Sequence, residues 1–270
     1  MFDYIFDHHV HIGQFQDVYY NPYKMVDILL NCGVIGAYIS STTSCIDCDT
    51  KQEKEILISH IKAEIKELLS YSKERNFDAK PLCWIIPQRY YEGETVDEIY
   101  SECDYQGFKI HPRAHDWDLN KKMVVMLLSD ICKIAEQKNV PVLIHTGICE
   151  FESPSKFKYW FETFPNVKFI LAHCCRDVNK ILDLFDTYKN LYGDVAFSKP
   201  EDLQPILYSK HRNRLLFGTD FPITAHNQSM KKYKKRSLYK NYKQILSVWN
   251  EYDYSFTEGR KELNDWNKKD

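Results

Sequence analysis

Two histidines, His9 and His11, stand two positions apart in the segment FDHHVHIG near the start of the chain. On a β-strand that spacing aims both imidazoles at one face. Joined there by a third imidazole and a carboxylate, they make a ligand set suited to zinc or a similar divalent ion. Later apolar segments supply the missing groups: VPVLIH ends in His145, VKFILAH in His173 and LLFGTD in Asp220. A carboxylate in such a set can touch the metal and also take a proton from bound water. GFKIH adds Lys109 and His111. By the same alternation Asp7 shares the face of His9 and His11, His8 does not, and Lys109 shares a face with His111.

These residues close apolar runs of strand length, and strand interiors disfavour charge that is neither paired nor ligated. The expected strands are Tyr4-Ile5-Phe6 running into DHHVHIG, VIGAYIS (Val34 to Ser40), LCWIIPQ from Leu82, GFKIH, VPVLIH, VKFILAH, LYGDVAF around Val195, and LLFGTD. Several are almost wholly apolar, as strands buried on both faces should be. Helical patterns lie between them. Asn21-Pro22 starts one that Gly33 stops. Thr50 and Glu53 have capping-box spacing ahead of Leu57, Ile61, Ile65 and Leu68. Ser153-Pro154 opens another, Met123, Leu127, Ile131 and Ile134 form a stripe, and so do Leu238, Tyr242, Ile245 and Trp249. Strands alternating with helices imply parallel βαβ units. Eight of them predict an α/β chain folded as a single (β/α)8 TIM barrel over residues 1–270, with 230–270 as C-terminal helices; an open doubly wound sheet is the alternative. In such a barrel catalytic groups sit at the C-terminal ends of the strands, which is where the residues above fall.

Taken in order, FDHHVHIG, GFKIHP, VLIHTG, FILAHCC and LLFGTDFP resemble the amidohydrolase superfamily, in its amidohydrolase-related branch, from the first strand to the eighth. The resemblance implies that His9, His11, His145 and Asp220 hold a divalent metal, with zinc expected and manganese as the alternative. It implies that His173 polarises the substrate or serves a second metal, so that Asp220 and His173 are the catalytic residues. Relatives with two metals include some that bridge them with a carboxylated lysine from strand four. Lys109 lies on that strand but shares the face of His111, so one metal is expected here. The superfamily also contains decarboxylases, hydratases and lactonases thought to work without metal. The reaction expected is hydrolysis of an amide, ester or lactone. Decarboxylation of a small aromatic or unsaturated acid is the alternative, and a ligand-binding barrel without chemistry is the reading from another class.

Arg89, Arg113 and Arg176 each follow a strand end, where a guanidinium fork could hold a substrate carboxylate. Together with Lys109 and His111 they complete the expected substrate-binding set. Cys45 and Cys48 form a lone CxxC, read as a pair of loop thiols. Cys149 and Cys174-Cys175 are expected to be small buried fillers. The basic run from Met230 to Lys243 reads as a solvated barrel helix. A formal net charge of -2 gives no pull toward nucleic acid or anionic membrane, and no stretch approaches the length of a membrane span. Nine cysteines without a framework, and no leader pattern at the N-terminus, fit a cytoplasmic protein with reduced thiols. The partner expected is a small-molecule substrate, and an aromatic content of 14% leaves room for a homo-oligomer interface.

Overall fold

A computed structural model describes residues 5–91, 93–224, 238–249 and 252–265. Tyr4 and the first part of the basic run, 230–237, lie outside the described residues. The chain is mixed α/β. Among the described residues nine strands form one curled sheet in the order β2-β1-β3-β4-β5-β6-β7-β8-β9. They are β1 Ile5–Phe15, β2 Val18–Tyr20, β3 Val34–Ser41, β4 Asp78–Trp84, β5 Phe108–Ile110, β6 Val142–Ile144, β7 Phe169–Leu171, β8 Leu191–Asp194 and β9 Leu215–Leu216. Every pairing is parallel except β1 with β2. The stretch after β9 bonds back to β1: His8 N–H donates to Phe217 O and His11 N–H to Phe221 O, both at 2.8 Å.

The helices between strands form where local chemistry dictates. Asn21 caps α1 (Pro22–Asn31) by accepting from Lys24 N–H, and Gly33 follows it at φ +85. Thr50 and Glu53 close a reciprocal capping box on α2 (Lys51–Glu74). The remaining helices are α3 Pro87–Tyr91, α4 Val96–Ser101, α5 Lys122–Lys138, α6 Lys158–Thr163, α7 Val178–Thr187, α8 Pro200–Leu207, α9 Leu238–Trp249 and α10 Asp253–Asp265. None is long and apolar enough to cross a membrane. A main apolar cluster joins helices to strands, while Phe6, Tyr38, Leu82, Leu143, Ile170 and Tyr192, from six different strands, pack as a separate layer.

Three expectations need correction. The third strand runs from Asp78, not Leu82, to Trp84; Ile85 N–H still donates to Lys109 O, and Pro87 opens α3. Polar Asp78 and Lys80 with Pro81 hid its first half. Ser153-Pro154 leads into a 3-10 turn, Pro154–Phe157, and α6 starts only at Lys158. Met123 is exposed, whereas Leu127, Ile131 and Ile134 are buried.

The parity expected along β1 also fails. Asp7 pairs with Ala37 and Val10 with Ile39, so three steps on β1 oppose two on β3. This bulge inserts one residue and reverses the alternation. Asp7 consequently turns away from His9 and His11. It accepts from Thr219 N–H, Thr219 Oγ–H, Tyr242 Oη–H and His9 N–H, tying β1 to α9 and to the stretch after β9.

Burial pushes the Asp7 carboxyl up to about 6 against the pull of these donors. The folded protein therefore holds this proton more tightly than the unfolded chain does. The linked stability is complete below pH ~4 and lost as pH rises through about 6. In urea unfolding of chelator-treated protein, Asp7→Asn should lack this fall, worth ~3 kcal/mol across the window. Matching pH profiles for the two proteins would contradict it.

Candidate active site

Beyond the bulge His9 and His11 share one face of β1, with ring centroids 5.1 Å apart. Each is anchored through its outer nitrogen. His9 Nδ1 lies 2.9 Å from Asp194 Oδ2, and His11 Nδ1 lies 3.1 Å from Ser40 Oγ. Their inner nitrogens turn toward one carboxylate oxygen: Asp220 Oδ1 is 2.7 Å from His11 Nε2 and 3.5 Å from His9 Nε2. Anchoring of this kind fixes a histidine's orientation and leaves its other nitrogen for a ligand. Asp220 sits at φ 52, and Thr224 N–H donates to its carbonyl. Burial would raise its carboxyl, but His9, His11 and His173 outweigh burial and hold it well below the usual range.

Asp194, at the end of β8, is fully buried and accepts from His173 N–H at 2.8 Å and Ala196 N–H at 3.0 Å as well as meeting His9. Burial works against its charge, and His9 and His173 bring it down to about 2. His173 takes a left-handed φ of 62. Its Nε2 lies 3.8 Å from Asp220 Oδ2 and 3.2 Å from His145 Nδ1, and its buried Nδ1 has no hydrogen-bond partner among the described residues. Lys109 is only 1% exposed, and its Nζ lies 2.9 Å from His9 Nε2. Burial lowers its ammonium to about 8.

His9, His11 and Asp220 thus form one group able to hold a cation, and His9, His173 and Asp194 a second that shares His9. His145 stands one step outside both, reached through His173. It stacks on His111 at 3.7 Å between centroids. Burial is the main cause that lowers both imidazoles. Trp84 lies over His11 and His111 and extends this aromatic wall. Lys109 reaches His9 while His111 lies beyond the end of β5, so their shared parity does not bring them to one point.

The arginines fare differently. Arg176 is exposed and packs over Phe197, whose edge meets His173. Arg113 is exposed, 3.9 Å from Glu152. Arg89 needs correcting as a carboxylate clamp, because Glu94 and Glu102 already neutralise it. It lines a cavity of about 340 Å³ with Cys45, Cys48 and His115. Both thiols of that CxxC are free. Cys174 is buried as expected, but Cys149 is exposed, and the Cys175 side chain lies outside the described part.

Sequence reasoning missed Asp194 and Glu152. Asp194 carried a signal, since LYGD ends in an acid as LLFGTD does. Glu152 lies in a loop and carried none.

The amidohydrolase family model matches residues 84–247, more than half of the chain. The chain belongs to the amidohydrolase family. It is therefore a member of an enzyme family whose proteins typically bind a divalent metal, and the grouped histidines and aspartates agree with that. No curated protein matches the sequence. Among solved structures it is similar to amidohydrolase II, at TM-score 0.62 and 14% identity, covering 96% of this chain and 99% of that one. It is also similar to a probable 2-pyrone-4,6-dicarboxylic acid hydrolase from Acinetobacter baumannii (TM-score 0.59, 11% identity, 96% and 98% covered). A TatD-family hydrolase from Entamoeba histolytica matches at TM-score 0.60 and 10% identity, with 96% and 98% covered. At these identities the likeness concerns the fold.

Removing Asp194 would leave His9 Nδ1 and two buried N–H groups without their acceptor. Asp194→Ala should cost about 3–5 kcal/mol in chemical denaturation. Asp177→Ala, which removes the side-chain N-cap of α7, should cost about 1 kcal/mol. Equal losses would show that Asp194 is not holding the site together.

Proposed function

We propose that this chain is a metal-dependent hydrolase acting on an amide, ester or lactone bond of a small molecule. The observation that carries the reading is the convergence of His9 Nε2 and His11 Nε2 on Asp220 Oδ1 while both outer nitrogens are anchored. His9, His11 and Asp220 are the ligands, His145 completes the set, and one ion, zinc or manganese, is bound. The fold is read as a closed (β/α)8 barrel in one domain, supported by the backbone bonds from β1 to Phe217 and Phe221. A small-molecule substrate, no nucleic-acid or membrane partner, self-association as a homo-oligomer and a cytoplasmic setting complete the proposal.

A bound divalent ion would supply a water acidic enough to ionise near neutral pH and would polarise the substrate carbonyl. Asp220 takes the proton of the attacking water on its carboxylate and returns it to the leaving group. Its strongly lowered affinity for protons keeps it ionised. His173 stabilises the developing oxyanion. His111, Lys109 and Trp84 wall the reacting centre and exclude water. The cavity beside it meets this wall through His115, which packs against both Trp84 and His111, and has room for a small substrate. Arg113 and Arg176 stand where they could meet a charged substrate group.

The test is a panel of esters, lactones and amides, with small aromatic and unsaturated acids alongside, run on zinc- and manganese-loaded protein. Hydrolysis of one class is expected, with kcat reduced ~10²–10⁴-fold in Asp220→Asn while circular dichroism and Tm show an intact fold. Release of carbon dioxide in place of hydrolysis would reassign the reaction as decarboxylation. A flat response from metal-loaded protein would leave a ligand-binding barrel, and full activity in Asp220→Asn would remove that residue from its role.

A further inference from the structure

The loop between β6 and α6 inverts the usual order of burial. Ile148 and Phe151 are 68% and 61% exposed, whereas the carboxylate-bearing Glu152 is 5% exposed. Burying a carboxylate under exposed apolar residues is costly and needs a partner to offset it. Glu152 Oε2 lies 3.3 Å from His145 Nε2. The other neighbour, Arg113, is 3.9 Å from Oε1 and largely in solvent, so it adds little. The loop is shaped for this contact. Gly147 N–H donates to the Glu152 carbonyl, and a Cβ at position 147 would stand 2.4 Å from Glu152 Oε1. Glycine at 147 is therefore what admits the carboxylate.

His145 is otherwise held on its face by His111 and faces His173 Nε2 through its Nδ1, at 3.2 Å. An ionised carboxylate only accepts, so the proton between Glu152 and His145 belongs to His145 Nε2. A neutral imidazole has a single N–H. We infer that Glu152 is a positioning residue that fixes His145 as its Nε2–H tautomer and so presents the Nδ1 lone pair toward His173 and the metal-binding group. Without Glu152 the ring could carry its proton on either nitrogen, and its Nε2 would lose this anchor. The inference rests on the metal-dependent reading for its consequence, but the tautomer itself does not.

Two measurements test it. Nitrogen-15 NMR of histidine-labelled, metal-free wild type should show His145 protonated on Nε2, with a mixture of tautomers in Glu152→Ala. Cobalt(II) titration followed by visible absorption should show affinity lowered ~10–100-fold in Glu152→Ala with altered bands. Glu152→Gln, whose carbonyl oxygen still accepts from Nε2–H, should stay near wild type. Wild-type His145 protonated on Nδ1 would overturn the inference, and that result does not depend on whether the alanine variant folds. Unchanged cobalt affinity and bands in Glu152→Ala, beside a wild type that binds, would also overturn it. A wild type that binds no cobalt, yet shows the Nε2–H tautomer, would instead count against the metal-dependent reading and leave the tautomer standing.

Discussion

Asp194 is the group on which the site depends. Its carboxylate is fully buried, and each oxygen is used: one meets the outer nitrogen of His9, the other receives the backbone of His173 and Ala196. Those contacts join β8, β1 and the turn after β7. They compensate the cost of placing a charge in the core, and they fix His9 so that its other nitrogen points at Asp220. An unpaired carboxylate at that depth would not stay ionised. Here the surrounding imidazoles keep it so, and the carboxylate in turn orders them.

The sheet supports this by dividing its layers. Apolar side chains from successive strands fill the level of Phe6, Tyr38 and Leu143. The polar groups of the site are His9 and His11 within β1, Lys109 within β5, and His145, His173, Asp194 and Asp220 at or beyond the ends of their strands. The bulge in β1 is the local device that makes this possible. It lets Asp7 face α9 and brace the frame while His9, two residues on, faces the site. Regular alternation would send both side chains the same way.

Much of this was legible in the sequence. The order of the strands, the capping box at Thr50, the stop at Gly33 and the polar strand ends follow from periodicity and residue type. His9, His11 and Asp220 come together as their spacing suggests. What was hidden has physical reasons. The bulge depends on register between β1 and β3, which a single strand's pattern does not reveal. β4 was masked at its start by Asp78, Lys80 and Pro81. Arg89 looked available because Glu94 and Glu102 are distant from any motif, and a pairing of that sort depends on tertiary placement. Glu152 lies in a loop, where no periodicity marks a buried position. His145 is intermediate: its strand was plain, but its closest partners proved to be His111, His173 and Glu152.

The most direct measurement of the central claim is the metal content of protein purified without chelator, by elemental mass spectrometry, beside a His9→Ala/His11→Ala variant. The expected result is about one equivalent of zinc or manganese in the wild type, lost in a variant that remains folded. Metal retained by the variant, or a folded wild type that carries none even after incubation with zinc and manganese, would contradict it.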